Sequence, residues 1–236
     1  MHTPTERPQP TLARASWAVF QKDLRAELRT RYALNALVMF ALATVLMVSI
    51  NLGSQLLGSE PLTPLVNAVL LWIVLFFAAL TGMARAFVQE ETAQTAALLR
   101  LHAPPLAVLI GKWLFNTLLL AGLTILTTLT FGLLMSLHVG NLPLLLVVLG
   151  LSSLGLATTT TLIAAIIAQA NVRSALFAPL AFPVLLPLLV IAVQTTDLAF
   201  SGAAWNQALA NVQLLVAYVL LTAASTMLLF PLVWEA

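Results

Sequence analysis

Lys112 follows Gly111, and a Gly-Lys pair is what closes a phosphate-binding loop. Such a loop also needs a glycine five residues upstream and a hydroxyl after the lysine, because backbone N–H groups cradle the phosphates and the hydroxyl holds Mg²⁺. Leu106 and Trp113 stand at those positions, and no other Gly-Lys pair occurs. The chain therefore cannot hydrolyse ATP by itself, and Lys112 reads as a side chain that snorkels from the end of an apolar run. There are no cysteines, which excludes disulfides, thiol catalysis and cysteine-bound metal. No carboxylate or histidine lies well inside an apolar run, which argues against a proton-coupled carrier and an intramembrane enzyme.

The densest group of chemically able residues is the stretch EETAQTAALLRLHAPP, residues 90 to 105. It interrupts a chain that is only 8% charged. Glu90 and Glu91 open it and Arg100 stands near its end, the order that suits a helix dipole. Pro104 and Pro105 stop it. Leu98, Leu99 and Leu101 put bulky apolar groups on this short helix, at about 88 to 103, and leucines exposed to water need a partner. Two occupants suit them, the surface of a membrane or a groove in another protein.

The elements around that stretch follow from composition. The 236 residues are 61% hydrophobic, with a mean hydropathy of +1.03, well above the roughly 45–50% apolar share of a soluble domain. The apolar runs are continuous rather than alternating, so they predict helices and not barrel strands. Six runs reach the roughly 20 residues a span needs: 34–57, 62–84, 106–137, 142–168, 174–193 and 208–234. The fold class is thus an all-α integral membrane protein with six transmembrane helices. With the N-terminus in the cytoplasm, all ten Lys and Arg residues fall on cytoplasmic segments, as positive residues in short loops do. The C-terminus is then cytoplasmic too. A net charge of +2 gives no case for nucleic acid.

Residues 1 to 11 read as a disordered lead with Pro4, Pro8 and Pro10, and 32 to 236 as the six-span domain. Between them, residues 12 to 31 form an amphipathic helix. Leu12, Trp17, Phe20, Leu24 and Leu28 recur at helical spacing, and Arg14, Lys22, Asp23, Arg25, Glu27, Arg29 and Arg31 occupy other faces. Glu27 can pair with Arg31 at i,i+4. A basic amphipathic helix lies in the bilayer interface, and this one serves either as an anchor or as a docking surface for a cytoplasmic partner. Within the spans, Ser153, Ala157, Thr161, Ala164 and Ala168 form a small-residue stripe for close helix packing. Pro179, Pro183 and Pro187 share one face of the fifth span and remove helix hydrogen bonds. They make either a hinge or a fixed kink. Trp205 is placed as an interface anchor.

Three blocks carry a resemblance: KDLRAELRTRYALNALVMFAL from residue 22, LLWIVLFFAALTGMARAF from 70, and FVQEETAQTAALLRLHAPPLAVLIGKWLFN from 87. Together they resemble the CcmB family of haem exporters in cytochrome c maturation, over most of the chain and most strongly from 22 to 116. Where that family has a Gly-Thr-Leu-Asp type of run, this chain reads Gln94, Thr95, Ala96, Ala97, which removes an acidic group. The resemblance implies the permease subunit of a type 2 ABC exporter in the bacterial inner membrane. Its partners would be a CcmA-type ATPase, a CcmC-type haem-handling subunit, a small CcmD-type subunit and a second copy of itself. ATP would bind at the partner, haem would be the cargo, and no cofactor would be held by this chain directly. The stretch at 90 to 101 becomes the coupling helix seated in the ATPase, and the helix at 12 to 31 a second contact. His102 and His138 are the two histidines near the membrane faces. Either is a haem ligand in principle, although loop histidines are more often plain surface groups.

Two function classes remain open. The first is a transporter half driven by an ATPase. The second is a membrane scaffold that docks the ATPase and haem-handling subunits and moves nothing itself.

Overall fold

In hydrocarbon a backbone can bond only to itself, so a chain this apolar resolves into long helices. The computed structural model describes residues 11–56, 62–83, 104–169 and 177–235, and all regular structure among them is helical. Seven helices follow in order: α1 (Leu12–Thr30), α2 (Tyr32–Leu56), α3 (Pro64–Met83), α4 (Pro105–Leu134), α5 (Leu142–Gln169), α6 (Phe177–Phe200) and α7 (Trp205–Glu235). Helices α2 to α7 are each long and apolar enough to cross a membrane. The fifth run extends further than its hydropathy suggested, because residues 194–200 continue α6 instead of entering the following loop. The polar side chains of Thr195 and Thr196 on that extension are buried, which the run of hydropathy does not register. The segments 1–10 and 84–103 fall outside the described residues, and with them Glu90, Glu91, Leu98, Leu99, Arg100, Leu101 and His102.

Helix α5 is the most enclosed span and packs on α3, α4, α6 and α7. Its sequence permits this. Gly155 leaves room for the Leu188 methyls of α6, 3.1 Å from where a Cβ would stand, and for Tyr218 of α7 at 3.5 Å. Small residues let helices approach and gain dispersion contacts where no hydrophobic drive separates protein from lipid. Ser153 and Thr161 of the small-residue stripe also bond across to α4, so the stripe carries hydrogen bonds as well as close packing.

At the end of the bundle opposite α1, two turns are locked together. Asn141 caps α5 by accepting the Leu144 N–H at 3.1 Å, and its own amide donates to the Ala203 carbonyl at 2.9 Å. Its backbone N–H reaches the Ala199 carbonyl at 2.8 Å. Gly140 lies directly on Gly202, whose φ of +76 also needs glycine. A Cβ on Gly140 would stand 2.6 Å from the Gly202 nitrogen, a contact that only a backbone shift relieves. Gly150, on the exposed side of α5, meets nothing. Gly140→Ala is therefore expected to lower the thermal midpoint in detergent by several degrees. Gly150→Ala should hold or raise it, since alanine favours a helix over glycine by about 1 kcal/mol. Paired melts of the two variants test this packing.

Candidate functional site

Helix α1 does not rest on the bundle through its large apolar residues. Its buried side chains are Ala15, Ser16, Val19 and Glu27, while Leu12, Trp17 and Leu28 are exposed. The reason is on the facing helix. Gly111 of α4 has no side chain, and a Cβ there would lie 2.6 Å from the Val19 Cβ and 2.7 Å from the Ser16 carbonyl. The two backbones meet at a small-residue contact that the stripe of Leu12, Trp17, Leu24 and Leu28 does not reveal. Trp17 stacks on Phe20 with ring centroids 5.0 Å apart, on the outer side.

Lys112, next in sequence, does not snorkel. It is only 3% exposed, and its ammonium pairs with the Asp23 carboxylate of α1 at 3.3 Å. Asp23 also holds Lys22 at 3.3 Å through its other oxygen. The snorkelling expectation fails because α1 covers the end of α4 and supplies the counter-charge there. Glu27 departs from expectation as well. Instead of pairing with Arg31 it accepts the Leu34 N–H at 2.7 Å, capping the first turn of α2, where an orphan donor and the helix dipole favour a carboxylate. Arg31 turns the chain from α1 to α2 in a left-handed conformation, φ 52, and its Nε donates to the Leu28 carbonyl at 3.4 Å. Both acids of α1 are thus engaged inside the protein, while Arg14, Lys22, Arg25 and Arg29 remain exposed. From Pro105, where α4 begins, to Gly111 is about 9 Å of helix. The α1 contact therefore sits close to the point where the segment 84–103 joins α4.

Farther along α4, polar groups bind it to α5. Trp113 donates to Thr158 at 2.9 Å, Asn116 to Thr161 at 2.8 Å, and Thr124 shares a hydrogen bond with Ser153 at 3.0 Å. These pairs fix rotation and register between two otherwise greasy helices, each contributing on the order of 1 kcal/mol.

The proline face is on α6. Pro179 stands in the first turn, where an N–H has no intrahelical partner, so it removes nothing. Pro183 and Pro187 are inside the helix and each deletes a bond. All three are exposed, as their spacing of four implies. Tyr218 of α7 donates to the Val184 carbonyl at 2.9 Å, three residues before Pro187, and Thr159 of α5 lies 3.2 Å from the same hydroxyl. With the tyrosine proton committed to Val184, the threonine is the donor in the second bond. Helix α6 is therefore tied at Val184 to α7, whose tyrosine is itself held by α5. A groove of about 410 Å³ opens between α3 and α6, with Trp72, Ile73, Phe77, Phe182, Leu186 and Val190 among its lining and none of the three prolines in it. Trp72 closes its base by donating to Thr196 at 2.8 Å. Pro231, inside α7, is a further helix proline, near the C-terminal end of the last span. His138 is exposed in the turn between α4 and α5, away from the α1 contact.

These features, a multi-span helical chain with a basic helix clamped to its third span, coincide with the blocks of sequence named above. The family model described as CcmB protein matches residues 14–232. This chain belongs to the CcmB family. The matched region takes in α1 from Arg14 onward and reaches into the last turns of α7, so the α1–α4 clamp lies inside the CcmB match. No curated protein matches the chain. As a CcmB-family member it is a multi-pass membrane protein.

Two outcomes test the clamp. Gly111→Ala should separate α1 from α4, seen as faster tryptic cleavage at Arg14, Lys22 and Arg25 in the folded protein. Lys112→Met and Asp23→Leu are each expected to cost about 1–3 kcal/mol, as losing one partner of a mostly buried charge pair does. The double variant should cost less than their sum, with the coupling read from detergent melts.

Proposed function

We propose that this chain is the membrane-spanning permease subunit of an ATP-driven ABC transporter that supplies haem for cytochrome c maturation. A separate ATPase subunit energises it. The observation that carries this reading is the family match over nearly the whole chain. The clamp of α1 on α4 supports it. In this reading the segment around 88–103 is the coupling helix, and its movement enters α4 at Pro105. A helix is stiff along its axis, and α1 is fixed to the same helix at Gly111 and Lys112. Displacement of the coupling helix and displacement of α1 are then one motion. The bilayer in question is the bacterial inner membrane, with both termini in the cytoplasm, the side on which all ten basic residues would lie.

Six spans make half of a pathway, and a second copy closes it by two-fold symmetry. CcmC-type and CcmD-type subunits complete the complex. Haem is the cargo and no cofactor is resident. Pro183 and Pro187 supply the movable part of α6, because two deleted hydrogen bonds lower the cost of bending there.

The test is ATP-dependent transport by vesicles holding the full complex, with and without the ATPase. ATP-driven movement that disappears with the ATPase supports the permease. Recovery of the ATPase on this chain with no ATP-driven movement favours the scaffold. The coupling helix has its own test. Burying a leucine contributes about 1.5–3 kcal/mol, so Leu98→Ala with Leu101→Ala should sharply reduce ATPase recovery while membrane insertion stays normal. If that pair is silent in both pull-down and transport, residues 88–103 are not the coupling contact.

A further inference from the structure

We propose that the groove enclosed by α1, α2 and α4 holds one acyl chain of an anionic phospholipid, with its phosphate on the arginines at the α1–α2 junction. The groove has a volume of about 290 Å³ and is lined by Leu24, Leu28, Leu37, Phe115, Leu119 and Gly122, among other apolar residues. Glu27 is the single ionisable group in its wall. That carboxylate is already bonded to the Leu34 N–H, so the wall offers an occupant hydrocarbon and little else. Water needs several polar partners in a cavity and would find almost none here. At Gly122 nothing lies within 4 Å of where a Cβ would stand, so the chain leaves space there that a larger side chain would fill.

Charge specifies the rest of the ligand. Arg31 donates through Nε to the carbonyl of Leu28, itself a lining residue, which holds the guanidinium at the rim. Arg25 and Arg29 each follow a lining leucine by one residue, about 100° round the helix. Both stand about 140–180° round the helix from the buried Ser16, and both are exposed. The acids that would neutralise them point elsewhere, Asp23 to Lys112 and Lys22, and Glu27 to α2. An apolar slot with a basic rim and no free carboxylate on α1 complements an acyl chain joined to a phosphate. A zwitterionic headgroup, whose own cation would face these arginines, fits less well. Juxtamembrane basic clusters attract anionic lipid for the same reason. The groove adds a slot for one particular molecule to that diffuse attraction.

The experiment uses the full chain in detergent, offered phosphatidylglycerol or phosphatidylcholine, with retained lipid counted by native mass spectrometry. The wild-type chain should retain one phosphatidylglycerol several-fold more often than phosphatidylcholine. Gly122→Leu should lose that molecule, because the leucine fills the slot. Arg25→Gln, Arg29→Gln and Arg31→Asn together should bring the two lipids to equal retention. Asparagine at 31 accepts the left-handed backbone, and the other two changes are on the surface, so this arm stands even if the Gly122 variant folds poorly. Equal retention of the two lipids by the wild-type chain overturns the proposal, as does an unchanged preference in the arginine variant. If Gly122→Leu leaves lipid retention intact and breaks self-association, the groove seats a second copy and the lipid proposal fails.

Discussion

The structure depends on one constraint: nothing in hydrocarbon satisfies a polar group except another group of the protein. Backbone amides meet it by forming helices. The side chains meet it in pairs that join one helix to another, such as Trp72 with Thr196, Asn116 with Thr161 and Thr124 with Ser153. Lys112 meets it most conspicuously, since an ammonium at 3% exposure on a spanning helix demands a counter-charge. That demand fixes where α1 must lie, because Asp23 is the carboxylate that answers it. Once Asp23 is placed, Gly111 has to be small, and Ala15, Ser16 and Val19 have to form the face that meets it.

The same constraint governs the prolines. Deleting a backbone bond in a membrane leaves a carbonyl that cannot turn to water. The helix runs unbroken from Phe177 to Phe200 through Pro183 and Pro187, which free the carbonyls four residues earlier, those of Pro179 and Pro183. The Tyr218 hydroxyl donates to the next carbonyl, that of Val184. The donor comes from α7 and is held in turn by Thr159 of α5. Through Tyr218, α6 is thus tied to α7 beside Pro183, while the prolines themselves stay exposed.

How much of this was legible in the sequence follows from what kind of signal each feature leaves. The six spans were legible because burial in lipid selects residue type over some twenty consecutive positions. The bounds slipped at α6, where Thr195 and Thr196 are buried by specific bonds that hydropathy scores as polar exposure. The basic face of α1 was legible from its period, but its docking face was not. Its docking residues are an alanine, a serine and a valine opposite a glycine 90 or more positions away, and small residues carry little amphipathic signal. Lys112 and Glu27 were misread for a shared reason. Local rules offered each a nearby answer, a snorkelling stem for one and an i,i+4 arginine for the other, and a tertiary partner overrode both. The lock of Gly140 on Gly202 left no sequence trace beyond two glycines in separate loops.

Taken together, the charges of α1 show a division of labour that composition hides. The helix carries two acids among its basic residues and would look partly neutralised. In the fold the acids serve the inside, Asp23 closing on α4 and Glu27 on α2, and the bases serve the outside. A helix divided in this way is attached to the spans by its carboxylates and presents its cations to whatever lies beyond the bundle. Because both attachments lie within five residues of each other on α1, Asp23 and Glu27 hold it to α4 and α2 at neighbouring points. With the Gly111 contact, they fix α1 to two spans while Arg14, Lys22, Arg25 and Arg29 stay exposed.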